Sequence, residues 1–137
     1  MAGYSGTPLP KKLGIKDGFV VALPGVPADV KKELGDAFRG CHVVDAAGKD
    51  LDFVHLFVKT QAELKKNFGS WAKRLQPAGI LWVSWPKKSS GVASDLDENR
   101  VREIGLAAGL VDVKVCAVNE VWSGLKFVIR VKDRHKD

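Results

Sequence analysis

The run Lys87-Lys88-Ser89-Ser90-Gly91 sets two ammonium groups, two hydroxyls and a glycine on five consecutive residues, directly after Pro86. An anion would find there positive charge, hydroxyl donors and backbone N–H groups opened by glycine. The run does not fit the GxxxxGK[ST] phosphate loop, so it carries no expectation of nucleotide hydrolysis. Serine and glycine are also ordinary loop formers, and a solvated loop is the competing reading. A second cluster, Asn119-Glu120-Val121-Trp122-Ser123-Gly124, puts a large aromatic into a turn. Trp122 either folds back as a lid on the core or stands out as a contact for a ligand or partner. The ligand-binding candidates are therefore Lys87, Lys88, Ser89, Ser90, Gly91, Trp122 and Ser123, all directed at an anion.

Other chemistry-bearing residues assemble less. Asp45 stands 20 residues past Gly25, close to the spacing that joins a glycine turn to a ribose-binding acid. The turn itself, Pro24-Gly25-Val26-Pro27, holds one glycine between two prolines, which removes backbone donors and adds bulk. Asp45 is equally well a strand-end carboxylate capping a turn. His55 falls in an apolar run where a hydrogen-bonded core histidine is commoner than a catalytic one, His42 borders a short strand, and His135 lies in the tail. No serine, histidine and acid set can be assembled, so no catalytic residue is assigned. Cys41 and Cys116 stand alone, which excludes a local zinc knuckle or CxxC redox site and leaves reduced thiols and no metal as the expectation.

The elements that must position these residues follow from periodicity. Thr7-Pro8-Leu9 reads as the start of a short helix stopping at Gly14, and Phe19 to Leu23 as a first strand. Val30, Leu34, Ala37 and Phe38 mark one face of a helix from Ala28 to Phe38. A short strand, Cys41 to Val44, follows, and then Leu51 to Val58, apolar except for Asp52 and His55, which suits a central strand covered on both sides. Thr60 and Glu63 form a capping box for a helix carrying Leu64, Phe68, Trp71 and Leu75, closed by Pro77. Gly79 to Trp85 is the next strand, and Trp82 and Trp85, an odd number of residues apart, must point to opposite faces. A helix from Asp97 to Ala108 ends at Gly109, and two alternating strands, around Val111 to Ala117 and Leu125 to Val131, close the chain as a hairpin. The pattern is a three-layer α/β domain with a mainly parallel sheet. A strand of this kind delivers the 87–91 loop to the carboxyl edge of the sheet, where open α/β folds place ligands.

With 137 residues, 45% of them hydrophobic, the chain has the size of one domain with a real core, read as residues 1–137 with an N-terminal segment over 1–18 and a flexible basic tail over 132–137. The net charge of +6 favours acidic or phosphorylated partners. The start of the chain has no signal-peptide pattern and no apolar run approaches the length of a membrane span, so a cytoplasmic protein with no membrane partner is expected. No basic stripe is interleaved with aromatics, which speaks against nucleic acid as a partner. The edge position of the second strand calls for cover by the segment Tyr4 to Leu13 or by a second copy, so monomer and homodimer both stay open.

From Leu51 to Val131, "LDFVHLFV", "PAGILWVSWPK" and "AGLVDVKV" resemble the second half of a class I, S-adenosylmethionine-dependent methyltransferase. That resemblance implies a Rossmann-like sheet in the order 2-1-3-4-6-5, with Gly25 and Asp45 as the cofactor-binding positions and S-adenosylmethionine as the cofactor of a minimal methyltransferase. Only seven residues, Ala46 to Asp52, stand where many such enzymes place a helix, a strand and a helix. "GYSGTPLPKKLGIKDG", "LWVSWPKKSSGV" and "GLVDVKVCAVNEVWSGLKFVIR" further resemble a family of small actinobacterial proteins carrying a domain of unknown function, in which the position of Asn119 is usually aspartate. The reading is a non-catalytic or degenerate Rossmann-like domain, without a predicted cofactor, binding an anionic small molecule or a protein at its carboxyl edge. The methyltransferase is the alternative from the enzyme class, and a nucleic-acid-binding module the second.

Overall fold

The computed structural model describes residues 8–44 and 48–134. In chain order the elements are α1 (Leu9–Leu13), β1 (Val20–Ala22), α2 (Ala28–Leu34), β2 (His42–Val44), β3 (Leu51–Phe57), α3 (Gln61–Ala72), β4 (Leu75–Pro86), α4 (Glu98–Ala107), β5 (Leu110–Ala117) and β6 (Trp122–Ile129). The six strands form one sheet in the order β2-β1-β3-β4-β6-β5. The first four are parallel, and β6 runs antiparallel to both β4 and β5. Right-handed crossovers proceed in opposite directions from β1 and β3, which sets α2 and α3 on opposite faces and makes three layers.

Burial follows the pleat. In β3, Phe53 and Phe57 enter the layer shared with Leu13, Val30 and Leu34, whereas Val54 and Leu56 enter the layer shared with Leu64, Phe68 and Val101. Trp82 and Trp85 divide the same way, as their spacing requires. Trp82 is fully buried, and its indole Nε1 donates to the Leu13 carbonyl at 2.8 Å, which ties α1 to the middle of the sheet. On the other face Gly105 lets α4 approach so closely that a Cβ there would run into the Phe127 ring.

Polar residues inside the elements have local work. Asp52 accepts from the Val20 N–H at 2.8 Å through Oδ2 and from Gln76 Nε2 at 3.2 Å through Oδ1, supplying the acceptor that β1 lacks at its start. Thr60 Oγ1 accepts from the Glu63 N–H at 3.1 Å, but Glu63 Oε1 reaches back to the Lys59 N–H at 2.9 Å. The box expected between Thr60 and Glu63 is thus displaced by one residue on its return bond. Asp97 caps α4 through the Arg100 N–H at 2.8 Å.

Three expectations are corrected. The helix expected to reach Phe38 ends at Leu34, because Gly35, at φ 53°, turns the chain into a 3-10 segment over Gly35–Phe38. The strand expected from Gly79 starts at Leu75 and contains Pro77. Pairing skips from Leu51 with Leu75 to Phe53 with Ile80, and a Cβ at Gly79 would stand 2.7 Å from the Leu51 carbonyl oxygen. Proline, without a donor, sits in that irregular stretch. Finally, α1 does not cover β2. It lies across the sheet over Trp82 and reaches β5, where Lys114 Nζ donates to the Lys12 carbonyl at 3.3 Å. Val43 of β2 stays exposed, and residues 4–7 lie outside the described residues.

Candidate ligand site at the carboxyl edge of the sheet

The carboxyl ends of β1 to β4 point to one edge, and the β5–β6 turn joins them there: Pro86 pairs with Trp122, and the Lys87 N–H donates to the Val121 carbonyl at 2.7 Å. The sequence clusters at 87–91 and 119–124 are therefore neighbours. Within the first, Lys88–Ser90 forms a 3-10 turn that ends on Gly91 at φ 77°. Ser90 Oγ donates to the Lys87 carbonyl at 2.6 Å and accepts from the Val92 N–H at 3.1 Å. That hydroxyl is engaged in its own turn. Lys88 and Ser89 are exposed and Lys87 is half-buried, which leaves two ammonium groups and one hydroxyl open to an anion.

Trp122 is folded back on the core. It is 6% exposed, and its ring meets Phe57 edge-on with centroids 5.2 Å apart. Ser123, half-buried in β6, pairs with Trp85. Asn119 Oδ1 accepts from the Val121 and Trp122 N–H groups, both at 2.9 Å, and Nδ2 donates to Glu33 Oε1 at 2.7 Å. The amide thereby closes the turn and fastens it to α2, a double role an aspartate could not fill because it lacks the donor facing Glu33. A hollow of about 250 Å³ beside this turn is lined by Asp29, Glu33, Asn119, Glu120 and Val121, an acidic surface unsuited to anions.

Beneath the same edge His55 Nε2 lies 2.7 Å from Ser84 Oγ, both side chains fully buried. The imidazole stacks on Phe57 with centroids 4.2 Å apart. Nδ1 has no partner among the described residues, and an unpaired lone pair costs less than an unpaired N–H, so the proton belongs on Nε2. Burial lowers the His55 pKa to about 3, and the ring is neutral at physiological pH. The pair has the distance of a nucleophile and its base, but it is sealed from solvent and shows no orienting acid, so its geometry serves packing.

A cleft of about 460 Å³ opens at the ends of β1 and β2, and the sequence clusters did not reveal it. Its walls come from Leu23, Pro24, Val26, Phe38, Val43, Val44 and Trp71, with Lys31 the one cationic residue among the described ones. Among the described residues no helix stands between β2 and β3 at that corner. The only sequence signal for it was that short connection. Another hollow, about 480 Å³, lies between α3 and α4 against Phe68 and Ile104, away from the strand ends.

Gly25 borders the cleft, and its conformation has a structural cause. At φ 76° it sits so close to β3 that a Cβ would be 2.7 Å from the Phe57 carbonyl oxygen. The Phe57 N–H donates to the Pro24 carbonyl at 3.0 Å, and the Val26 N–H to the Leu23 carbonyl at 3.2 Å. With prolines at 24 and 27, the turn has few donors left for the carboxylate of an amino-acid-bearing cofactor. Asp45, the candidate ribose acid, lies outside the described residues, as does His135. Among the described residues no group of three or more His, Cys, Asp or Glu could hold a metal ion, and no helix is long and apolar enough to cross a membrane.

Residues 10–131 match the profile of a family described as "Protein of unknown function (DUF3052)". No curated protein sequence matches the chain significantly. Solved structures that resemble it include several methyltransferases. A SAM dependent methyltransferase from Aquifex aeolicus is 17% identical with a TM-score of 0.61, covering 85% of each chain. The 1,6-didemethyltoxoflavin-N1-methyltransferase of Burkholderia thailandensis, solved with bound 1,6-didemethyltoxoflavin and S-adenosylhomocysteine, is 11% identical with a TM-score of 0.63, covering 88% of this chain and 76% of that one. The precorrin-6y C5,15-methyltransferase of Geobacter metallireducens is 12% identical with a TM-score of 0.58, over 88% and 85%. At these identities the likeness establishes a methyltransferase-like Rossmann fold, in agreement with the strand order.

Proposed function

The chain belongs to the DUF3052 family, whose function is unknown, and we propose from its geometry that it is a catalytically degenerate Rossmann-like domain binding an anionic small molecule of the nucleotide class in the β1/β2 cleft. One observation carries the reading: a cleft of about 460 Å³ stands at the carboxyl ends of β1 and β2, its described lining largely apolar with Lys31 as the one charged residue among the described ones. Apolar walls that include the Phe38 and Trp71 rings suit the base, and Lys31 suits the anionic end. The volume lies in the range of small-molecule sites, about 300–1,000 Å³. Methyl transfer is the alternative, supported by the fold of the structural relatives. Against it stand the spent donors of the Pro24–Pro27 turn and the absence, among the described residues, of an accessible base at the cleft.

The test is a thermal-shift and calorimetric titration with AMP, ADP, S-adenosylhomocysteine and S-adenosylmethionine. A nucleotide at a hundred times its Kd should stabilise the fold by about 2.7 kcal/mol. Lys31→Glu should weaken that nucleotide about tenfold, and Trp71→Phe should abolish any fluorescence change on binding. Micromolar binding of S-adenosylmethionine together with methyl transfer would sink the non-catalytic reading.

A second anion site at Lys87 and Lys88 is favoured by their position beside the β5–β6 turn and by the absence of any carboxylate within ion-pair distance of either among the described residues. Replacing both with alanine should leave stability within about 0.5 kcal/mol and remove stabilisation by phosphate or sulfate. That stabilisation should also fade with added salt, since exposed charges are screened over about 10 Å at 0.1 M. Equal anion stabilisation of native and doubly substituted proteins would discard the site.

A further inference from the structure

We propose that the outer edge of β5 is a docking strand for an extended acidic segment of a partner protein. Among the described residues β5, an edge strand of eight residues, has β6 as its one strand partner, which leaves its outer backbone groups to a further ladder. Two of its exposed residues are apolar: Val113 and Val115 are 54% and 49% exposed. The other side of the edge is basic. Lys114 lies directly across from Lys126, Lys114 Nζ reaches the Lys12 carbonyl, and Lys16 is close enough to act on Lys126. Burial, Lys114 and Lys16 together hold the Lys126 ammonium below the usual lysine range. Among the described residues no carboxylate lies within ion-pair distance of Lys12, Lys16, Lys114 or Lys126. The nearest acid on the strand, Asp112, is already paired with Arg102 at 2.9 Å.

Like charges directly opposite on a sheet are unfavourable, so carboxylates arriving along β5 relieve a repulsion the free protein carries. Valines on one side and lysines on the other demand a segment that alternates apolar and acidic residues at period two. The register shift between Asp112 and Lys114 splits the strand into two regular stretches, residues 110–112 and 114–117, and the docked stretch on the lysine-bearing second one is short. A second copy of this chain is a poor occupant, because antiparallel pairing of two β5 strands would bring one lysine face against the other. Duplex nucleic acid is disfavoured because the cluster has neither arginine nor an exposed aromatic: Trp82, beside Lys126, is fully buried.

The probe is a fluorescently labelled peptide of alternating glutamate and valine, followed by anisotropy and by amide hydrogen exchange on the full chain. Binding should weaken with salt and protect amides within 113–117. Lys114→Glu, at an exposed position, should weaken it about tenfold, and so should Lys16→Glu, which leaves β5 untouched. Lys65→Glu on α3 should not. No binding, undiminished binding by both edge variants, or protection confined to other strands would overturn the proposal. So would equal binding of a lysine–valine peptide, tighter binding of a DNA duplex that displaces the peptide, or a native dimer whose dissociation uncovers these amides.

Discussion

Between pH 7.5 and 4.5 the protein is expected to lose about 2–3 kcal/mol of stability to one side chain, His55. Its folded pKa is about 3, against an ordinary 6.5, and burial is the cause. Because the folded value is depressed, the unfolded chain takes up the proton first. The contribution is fully present above about pH 6.5 and is lost as pH falls toward 3, at about 1.4 kcal/mol per pH unit in between. Among the described residues no carboxylate bonds the ring to hold a proton; its partners are Phe53, Phe57, Trp82 and the Ser84 hydroxyl. Urea unfolding at several pH values should show the slope in the native protein and its disappearance when His55→Phe is combined with Ser84→Ala, which avoids stranding the hydroxyl. Surface groups common to both proteins cancel in the difference. The same slope in both would show that His55 titrates normally and that the sheet beneath the carboxyl edge admits water.

That buried pair also shows which parts of the molecule can be read along the chain. Leu51 to Val58 announces a central strand by composition, and the odd spacing of Trp82 and Trp85 assigns them to opposite layers, because both signals depend on the two-residue period of a strand. Gly14 at φ 85° and Gly109 at φ 97° mark helix ends for the equally local reason that a left-handed turn favours glycine. Features that depend on distant partners were hidden. Pro77 can enter β4 only because Leu51 and Phe53 skip register against it. α1 goes to Trp82 instead of β2 because an indole N–H 69 residues away needs the Leu13 carbonyl. At the carboxyl edge the loop at 87–91 and the turn at 119–124 were legible as clusters and are neighbours in space. The cleft was not legible, since its described walls are apolar residues from four separate segments whose types say core, not site. Trp122 shows the converse: a conspicuous residue that the sequence puts in a turn, it opens β6 and packs its ring on Phe57.

Gly25 separates the two functional readings most sharply, and Gly25→Ala is expected to cost the ligand-free protein about 2–4 kcal/mol. Two effects add. The residue sits at φ 76°, where an L side chain is strained by about 1–2 kcal/mol. Its Cβ would also stand 2.7 Å from the Phe57 carbonyl oxygen, a backbone atom of a central strand that cannot turn aside like a flexible side chain. Pushing it away would stretch the bond from the Phe57 N–H to the Pro24 carbonyl, which holds the turn against β3. Gly18 provides the control. It has φ 86° and open space around its missing Cβ, so Gly18→Ala should show the backbone strain alone. Denaturant unfolding of both variants without ligand isolates the contact with Phe57 as their difference. If Gly25→Ala is no worse than Gly18→Ala while its affinity for a nucleotide or S-adenosylmethionine collapses, the glycine is there for a ligand's approach, and the turn returns to the role it holds in a cofactor-binding enzyme. If the larger loss appears in the empty protein, the glycine is required by the packing of β1 against β3.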